Sequence, residues 1–113
     1  TSENTGRRLE NAVFLHLRQS YRQVFYYKNK GECDFVIMDR GRLINAVQVC
    51  LTINDENFNR ELSGLLDAMR DLKIPIGSII TLKQKDTIEK DGFKVHIIPA
   101  HEFLMNPLSQ LIT

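Results

Sequence analysis

Residues 33–52 read CDFVIMDRGRLINAVQVCLT. Two apolar runs flank the tripeptide RGR, which is too short for anything but a tight connection, so Cys33–Asp39 and Leu43–Thr52 are predicted as antiparallel neighbouring strands. Polar side chains interrupt both runs. Asp34 lies inside the first, and Gln48 and Cys50 interrupt the second two residues apart, which places them on one face of the strand. Working back along the chain, QVFYYK (Gln23–Lys28) is rich in β-formers, and KNKGE with Gly31 supplies the turn into Cys33. The three strands form a meander.

On the N-terminal side, helical spacing runs from Asn4 or Thr5 to Gln19. Leu9, Val13 and Leu17 recur on one face, and Ala12, Phe14 and Leu15 widen it. Glu10 joins Val13, Phe14 and Leu17 in an i, i+3, i+4, i+7 set, so a carboxylate sits at the margin of the apolar stripe. On the C-terminal side, Asn54 or Asp55 is placed to cap a second helix marked by Phe58, Leu62, Leu65, Leu66, Met69 and Leu72, which ends before Pro75. SIITL (Ser78–Leu82) reads as a buried strand, KQKDTIEKDG as a charged connection and FKVHIIP (Phe93–Pro99) as a further strand. A short helix around HEFLM and a tail after Pro107 complete the chain. A helix between the third and fourth strands has the length of a crossover, which makes those strands parallel. The expected fold is α/β: a helix, a three-stranded antiparallel meander, a crossover helix and further strands in one mixed sheet.

A chain of 113 residues suits a single domain, here residues 1–113. With 42% hydrophobic and 26% charged residues it is not a disordered chain. The 15 basic and 14 acidic side chains nearly cancel, so any nucleic-acid binding requires a local patch. Two cysteines are too few for a disulfide scaffold, and the three histidines lack the paired spacings of metal sites, which leaves them surface or capping roles. No run approaches the roughly 18 apolar residues of a membrane span, and the N-terminus lacks the plan of a signal peptide. The expectation is a cytoplasmic protein with no membrane partner. The polar start followed at once by helical periodicity is expected of a piece of a longer chain.

Glu10 on the first helix, Asp34 opening the second strand and the Gln48/Cys50 pair on the third resemble the plan of the PD-(D/E)XK, or restriction-endonuclease-like, superfamily. More closely, LENAVFLHL, YYKNKGECDFVI, AVQVCLT and NRELSGLLDAM resemble the C-terminal domain of uncharacterised function of bacterial and archaeal AAA-type ATPases. The resemblance implies an acidic site in which Glu10, Asp34 and Gln48 hold magnesium through oxygen, with a lysine two residues after the third ligand. Here Gln48 stands where the superfamily has a glutamate, and Cys50 stands at the lysine position. The amide oxygen can still ligate a hard cation, although the site loses one negative charge. The thiol, neutral at pH 7 with an ordinary pKa of about 8.5, cannot supply the missing cation. Loss of one preorganised electrostatic contact costs on the order of 10²–10³ in rate.

The resemblance therefore implies a catalytically inactive, nuclease-like accessory domain of an ATPase, with a nucleic-acid (DNA) or protein-binding role and no resident cofactor. One alternative is a magnesium-dependent DNA nuclease in which Lys28 or Lys30 replaces the lost lysine. Another is a structural or oligomerisation domain, and cysteine nucleophile chemistry is the weakest reading because no histidine is placed to serve Cys50. Arg7, Arg8 and Arg60 are the candidate nucleic-acid contacts. Each residue also has a plainer role: Glu10 paired with Arg7, the lysines solvated on a turn, Arg60 in a helix-surface ion pair, Gln48 as a bridge between Glu10 and Asp34, and Cys50 as a small buried hydrophobe. Strand parity puts Cys33 on the sheet face opposite Cys50, so no disulfide is expected.

Overall fold

The computed structural model describes residues 2–112. Helix α1 (Ser2–Ser20) leads into strands β1 (Gln23–Lys28), β2 (Glu32–Asp39) and β3 (Arg42–Val49). Helix α2 (Phe58–Leu72), strands β4 (Ile76–Thr81), β5 (Asp86–Lys90) and β6 (Phe93–Pro99), and short helices α3 (Ala100–Met105) and α4 (Leu108–Leu111) follow. The strands form one six-stranded mixed sheet in the order β1-β2-β3-β4-β6-β5. β1, β2 and β3 are antiparallel neighbours, and α2 carries the chain across so that β4 lies parallel to β3. The meander and the crossover thus stand as the sequence implied.

Two turns with the same chemistry set the register of the hairpins. Arg40-Gly41, with φ 54° and 75°, joins β2 to β3. Asp91-Gly92, with φ 54° and 83°, joins β5 to β6. Positive φ at both central residues matches the right-handed twist of the flanking strands. The second turn corrects the reading of KQKDTIEKDG as a connection: its second half is β5, paired antiparallel with β6 from Asp86↔Ile97 to Lys90↔Phe93. Its charges fit a strand because β5 is an outer strand with only Ile88 half-buried. The other corrections are smaller. Residues 108–111 form a helical turn rather than a tail, and α1 extends over Ser2–Ser20. Asn54 does not cap α2. Its carboxamide oxygen accepts the Glu56 and Asn57 N–H groups and so shapes the preceding turn, while Asn57 occupies the cap position.

The sheet has a core on each face. Under α2, Leu62, Leu65, Leu66 and Met69 pack on Cys33, Val36, Ala46, Ile79, Val95 and Ile97. On the other face, Leu9, Val13 and Leu17 of α1, with Phe103 and Leu108, cover Ile37, Val47, Ile80 and Ile98. Leu15, expected on the buried stripe, is 55% exposed. The helix stripe is therefore narrower than its apolar composition implies.

The histidines do not share one role. His16 Nε2 lies 3.1 Å from the Asn106 carbonyl oxygen and its ring meets Phe103 edge-on, which ties α1 to the end of α3. His96 is buried on β6, contrary to a surface role, and burial lowers its pKa. No helix among the described residues is long and apolar enough to cross a membrane.

Candidate functional site

Because β2 and β3 run antiparallel, the start of β2 and the end of β3 meet at one end of the sheet. There α1 and α2, on opposite faces, frame a cleft of about 640 Å³. Glu10, Asp34 and Gln48, three residues separated by 38 positions of sequence from first to last, line it together, with Lys30, Arg60 and Glu61 at their side. Lys28 does not line the cleft and pairs with Glu32 at 3.5 Å across the exposed turn. Arg7 pairs with Glu3 at 3.1 Å, not with Glu10, and faces an adjoining depression lined by Glu10, Asn11, Phe14 and Phe35. Arg8 is exposed on α1 outside both.

A β-bulge places Asp34. β1 and β2 pair in one register from Gln23↔Met38 to Phe25↔Val36, then shift so that Tyr27 faces Cys33. Two β1 steps thus span three on β2, and Asp34 sits in the extra length. The side-chain order flips across the bulge. Cys33 consequently joins Val36 under α2, the same face on which Cys50 packs, which corrects the parity argument. Both cysteines are nonetheless free. Cys33 is fully buried with its thiol directed at the Phe35 and Val47 carbonyls, and burial pushes its pKa up to about 12.

Gln48 occupies the centre of the site with both amide N–H groups and its oxygen bonded. Its side-chain oxygen accepts the Asp34 N–H at 2.9 Å, and its amide nitrogen donates to the Glu32 carbonyl at 2.8 Å and the Glu61 carbonyl at 3.2 Å. It is 3% exposed. One side chain thus joins three elements, β2, β3 and α2, just past the last β2–β3 pair, Phe35↔Val47. Its partner on β2 is the Asp34 backbone; the anticipated bridge to Glu10 is not made. The Asp34 carboxylate in turn accepts the Val49 N–H at 2.8 Å, again in place of a ladder bond.

Glycine permits this close approach. A Cβ on Gly64 of α2 would fall on the Glu32 carbonyl oxygen, and one on Gly31 would lie 2.9 Å from the Gly64 Cα. The β1–β2 turn is held against α2 by the Gly31 N–H donating to the Asp67 carboxylate at 2.9 Å.

The electrostatics of the cleft are acidic. Burial first, then the nearby carboxylates of Glu10, Glu61 and Glu32, raise the Asp34 pKa to about 6, against the lowering effect of the Val49 N–H. Burial also raises Glu61, while Arg60, 3.6 Å away, opposes the rise. Glu61 is a cleft member that the sequence reading does not single out. Its signal was its position one turn before Gly64, on the helix face that meets the meander. The Cys50 thiol donates to the Thr52 carbonyl at 3.4 Å, and burial and then Glu61 push its pKa up. It is a protonated thiol at neutral pH and supplies no positive charge.

Among the described residues no three His, Cys, Asp or Glu side chains converge to hold one metal ion. Gln48 and Asp34, moreover, spend an oxygen each on backbone N–H groups. The carboxylates of Glu10, Asp34 and Glu61 line the cleft as the remaining oxygen donors.

Fold and site together define a mixed α/β domain with a polar cleft at the end of its meander. A family model described as a domain of unknown function (DUF4143) matches residues 5–103, and the chain belongs to that family. It is 35% identical over 109 residues to the uncharacterised protein MJ1544 of Methanocaldococcus jannaschii, an alignment that covers 87% of this chain. The chain spans 24% of the length of that relative.

Proposed function

We propose that this chain is a nuclease-like accessory domain, of the restriction-endonuclease-like PD-(D/E)XK plan, that serves a larger AAA-type ATPase without cleaving phosphodiesters itself. Its role in this reading is to bind nucleic acid or a protein partner at the cleft. The helix–meander–crossover order and the meeting of Glu10, Asp34 and Gln48 at one end of the sheet support the nuclease-like plan. The observation that carries the loss of activity is the hydrogen bonding of Gln48. Where the plan needs a charged ligand, this chain has an amide whose oxygen and nitrogen are all bonded to backbone.

A magnesium-dependent nuclease with a relocated cation is the second reading, and one observation favours Lys30 over Lys28 for that role: Lys30 lines the cleft. Incubation of the chain with single- and double-stranded DNA and magnesium separates the two. The expected result is no cleavage. Cleavage that disappears in both Asp34→Ala and Lys30→Ala establishes the second reading instead. Binding is measured as DNA affinity against salt: a steep negative slope that flattens in Arg60→Ala and Lys30→Ala marks nucleic acid as the partner. No measurable affinity at low salt leaves a protein partner or a purely structural role.

A further inference from the structure

A row of polar side chains crosses the sheet on the side of α3. Ser78 of β4 pairs directly with His96 of β6, and His96 pairs with Thr87 of β5. Strand parity puts all three on the face of Ile80 and Ile98, which α1, Phe103 and Leu108 cover. Asn45 of β3 joins the row, with the Ser78 hydroxyl donating to its side-chain oxygen at 3.4 Å. Two atoms of the row, Asn45 Nδ2 and His96 Nε2, are sealed from solvent and bonded to nothing among the described residues. His96 is 9% exposed, and it lines a cavity of about 520 Å³ together with Lys85 and Thr87 on one side and Glu102 and Gln110 of the short helices on the other.

We propose that His96 is an acid-release latch: α3 and α4 seat on the sheet while its imidazole is neutral, and protonation of the ring unseats them. An imidazolium donates from both nitrogens, and the sealed Nε2 has no acceptor. The charged groups around the ring do not make up for this. Lys94, two residues earlier on β6, opposes a second positive charge, and Glu89 of β5 pairs in register with that lysine. The Asp86 carboxylate, also on β5, accepts the Thr87 N–H at 2.8 Å. On α3, Glu102 is held by Lys85 at 2.9 Å and His101 is exposed. β4 and α4 bring Ser78, Gln110 and Leu111, which do not titrate. His16 of α1 meets Phe103 and the Asn106 carbonyl, an acceptor that an imidazolium there keeps. Burial first and then Lys94 lower the His96 pKa below its ordinary 6.5, so seating is fully favoured above pH 6.5 and weakens as pH falls. Helices of six and four residues have little stability of their own and depend on the burial of Phe103 and Leu108, so they release before the rest of the fold. None of the residues of the latch lines the cleft, and the inference is independent of how the cleft is read.

Amide hydrogen exchange of the 113-residue chain at pH 7.5 and pH 5, corrected for the intrinsic pH dependence of exchange, tests it. Protection across Ala100–Met105 and Leu108–Leu111 should fall about tenfold at pH 5, while Leu65 and Met69 in α2 hold theirs. The ceiling is about thirtyfold, the ratio of charged to neutral imidazole at pH 5 for an ordinary pKa of 6.5. His96→Gln, which cannot take up the charge, should show no such fall, and His16→Gln should keep it. Where His96→Gln does not fold, an NMR titration of the His96 ring in the unsubstituted chain takes its place: the ring and the loss of protection should share one midpoint. Unchanged protection at pH 5, an equal loss in α2, a fall that persists in His96→Gln or vanishes in His16→Gln, or a ring that titrates with α3 and α4 still protected overturns the proposal.

Discussion

The Gln48 side-chain oxygen accepts the Asp34 backbone N–H at 2.9 Å, so the two residues that mark the candidate site are joined directly, side chain to backbone. The Asp34 carboxylate completes the exchange by accepting the N–H of Val49, the residue after Gln48, at 2.8 Å. Together they hold β2 to β3 beyond the last ladder pair, Phe35↔Val47, and their first effect is on stability.

Asp34→Asn tests the cost of the buried carboxylate. Folding raises the Asp34 pKa from 3.8 to about 6, so the folded chain holds the proton more tightly than the unfolded one. The stability contributed by this preference is complete below the unfolded pKa and is lost as pH rises through about 6. At pH 8 the ionised, partly desolvated carboxylate costs on the order of 2–3 kcal/mol. Asparagine keeps an oxygen for the Val49 N–H and carries no charge. Urea unfolding should therefore show Asp34→Asn more stable than the parent at pH 8, with the difference shrinking towards pH 4. A constant difference across that range would mean that Asp34 is not the titrating group.

Gln48→Glu restores the side chain that the nuclease plan would have and should nonetheless unfold the site. The glutamine nitrogen donates to two carbonyls, Glu32 and Glu61, and a carboxylate oxygen in its place would face both as an acceptor. A loss of about 2–4 kcal/mol at pH 8 is expected from unpaired buried groups and like partial charges. Protonation gives back one donor. The burial that raises its pKa makes the stability present at acid pH and lost as pH rises, and melting temperatures at pH 5 and pH 8 check the direction. Gln48→Leu should lose a similar amount with no such pH dependence.

Gly64→Ala and Gly77→Ala make a graded pair. At Gly64 the added methyl meets backbone, the Glu32 carbonyl, which the Gln48 network holds in place. At Gly77 it would lie 2.6 Å from the Met69 sulfur, on a flexible side chain that can move. Denaturant midpoints should show the Gly64 change costing about 3 kcal/mol or more and the Gly77 change about 1–2 kcal/mol. The order of the two matters more than either value.

Cys50→Lys should not by itself create phosphodiesterase activity. The thiol packs on the α2-side core and bonds the Thr52 carbonyl, so an ammonium there is drawn towards the exposed end of β3 and the Glu61 carboxylate. Nuclease assays with magnesium on Cys50→Lys, and on Cys50→Lys with Gln48→Glu, are expected to show none. Cutting by the double variant alone would mean that the cleft still has catalytic geometry.

Much of this fold was written in local patterns. RGR between two apolar runs specifies a hairpin by sterics alone, and Leu62, Leu65, Leu66 and Met69 specify the buried face of α2 by their spacing. β5 was legible too, in Asp91-Gly92 just before the β-forming run FKVHII, but the charges at Asp86, Glu89 and Lys90 describe a solvated edge as well as they describe a loop. The outlying roles of Leu15 and His96 follow from which neighbours arrive over them, information that no local window holds.

The candidate site divides along the same line. The sequence by itself determined that a glutamate at the margin of a helical stripe, an aspartate of unfavourable strand propensity and a glutamine interrupt apolar elements, and that the third strand lacks a lysine. Only the tertiary structure decided what those residues do, because a single extra residue in β2 inverts the side-chain order at Cys33, and Gln48 meets backbone groups of β2 and α2 that lie 13 to 16 positions away in sequence. A bulge shifts one register step at almost no sequence cost, yet every β1 partner beyond it on β2 changes.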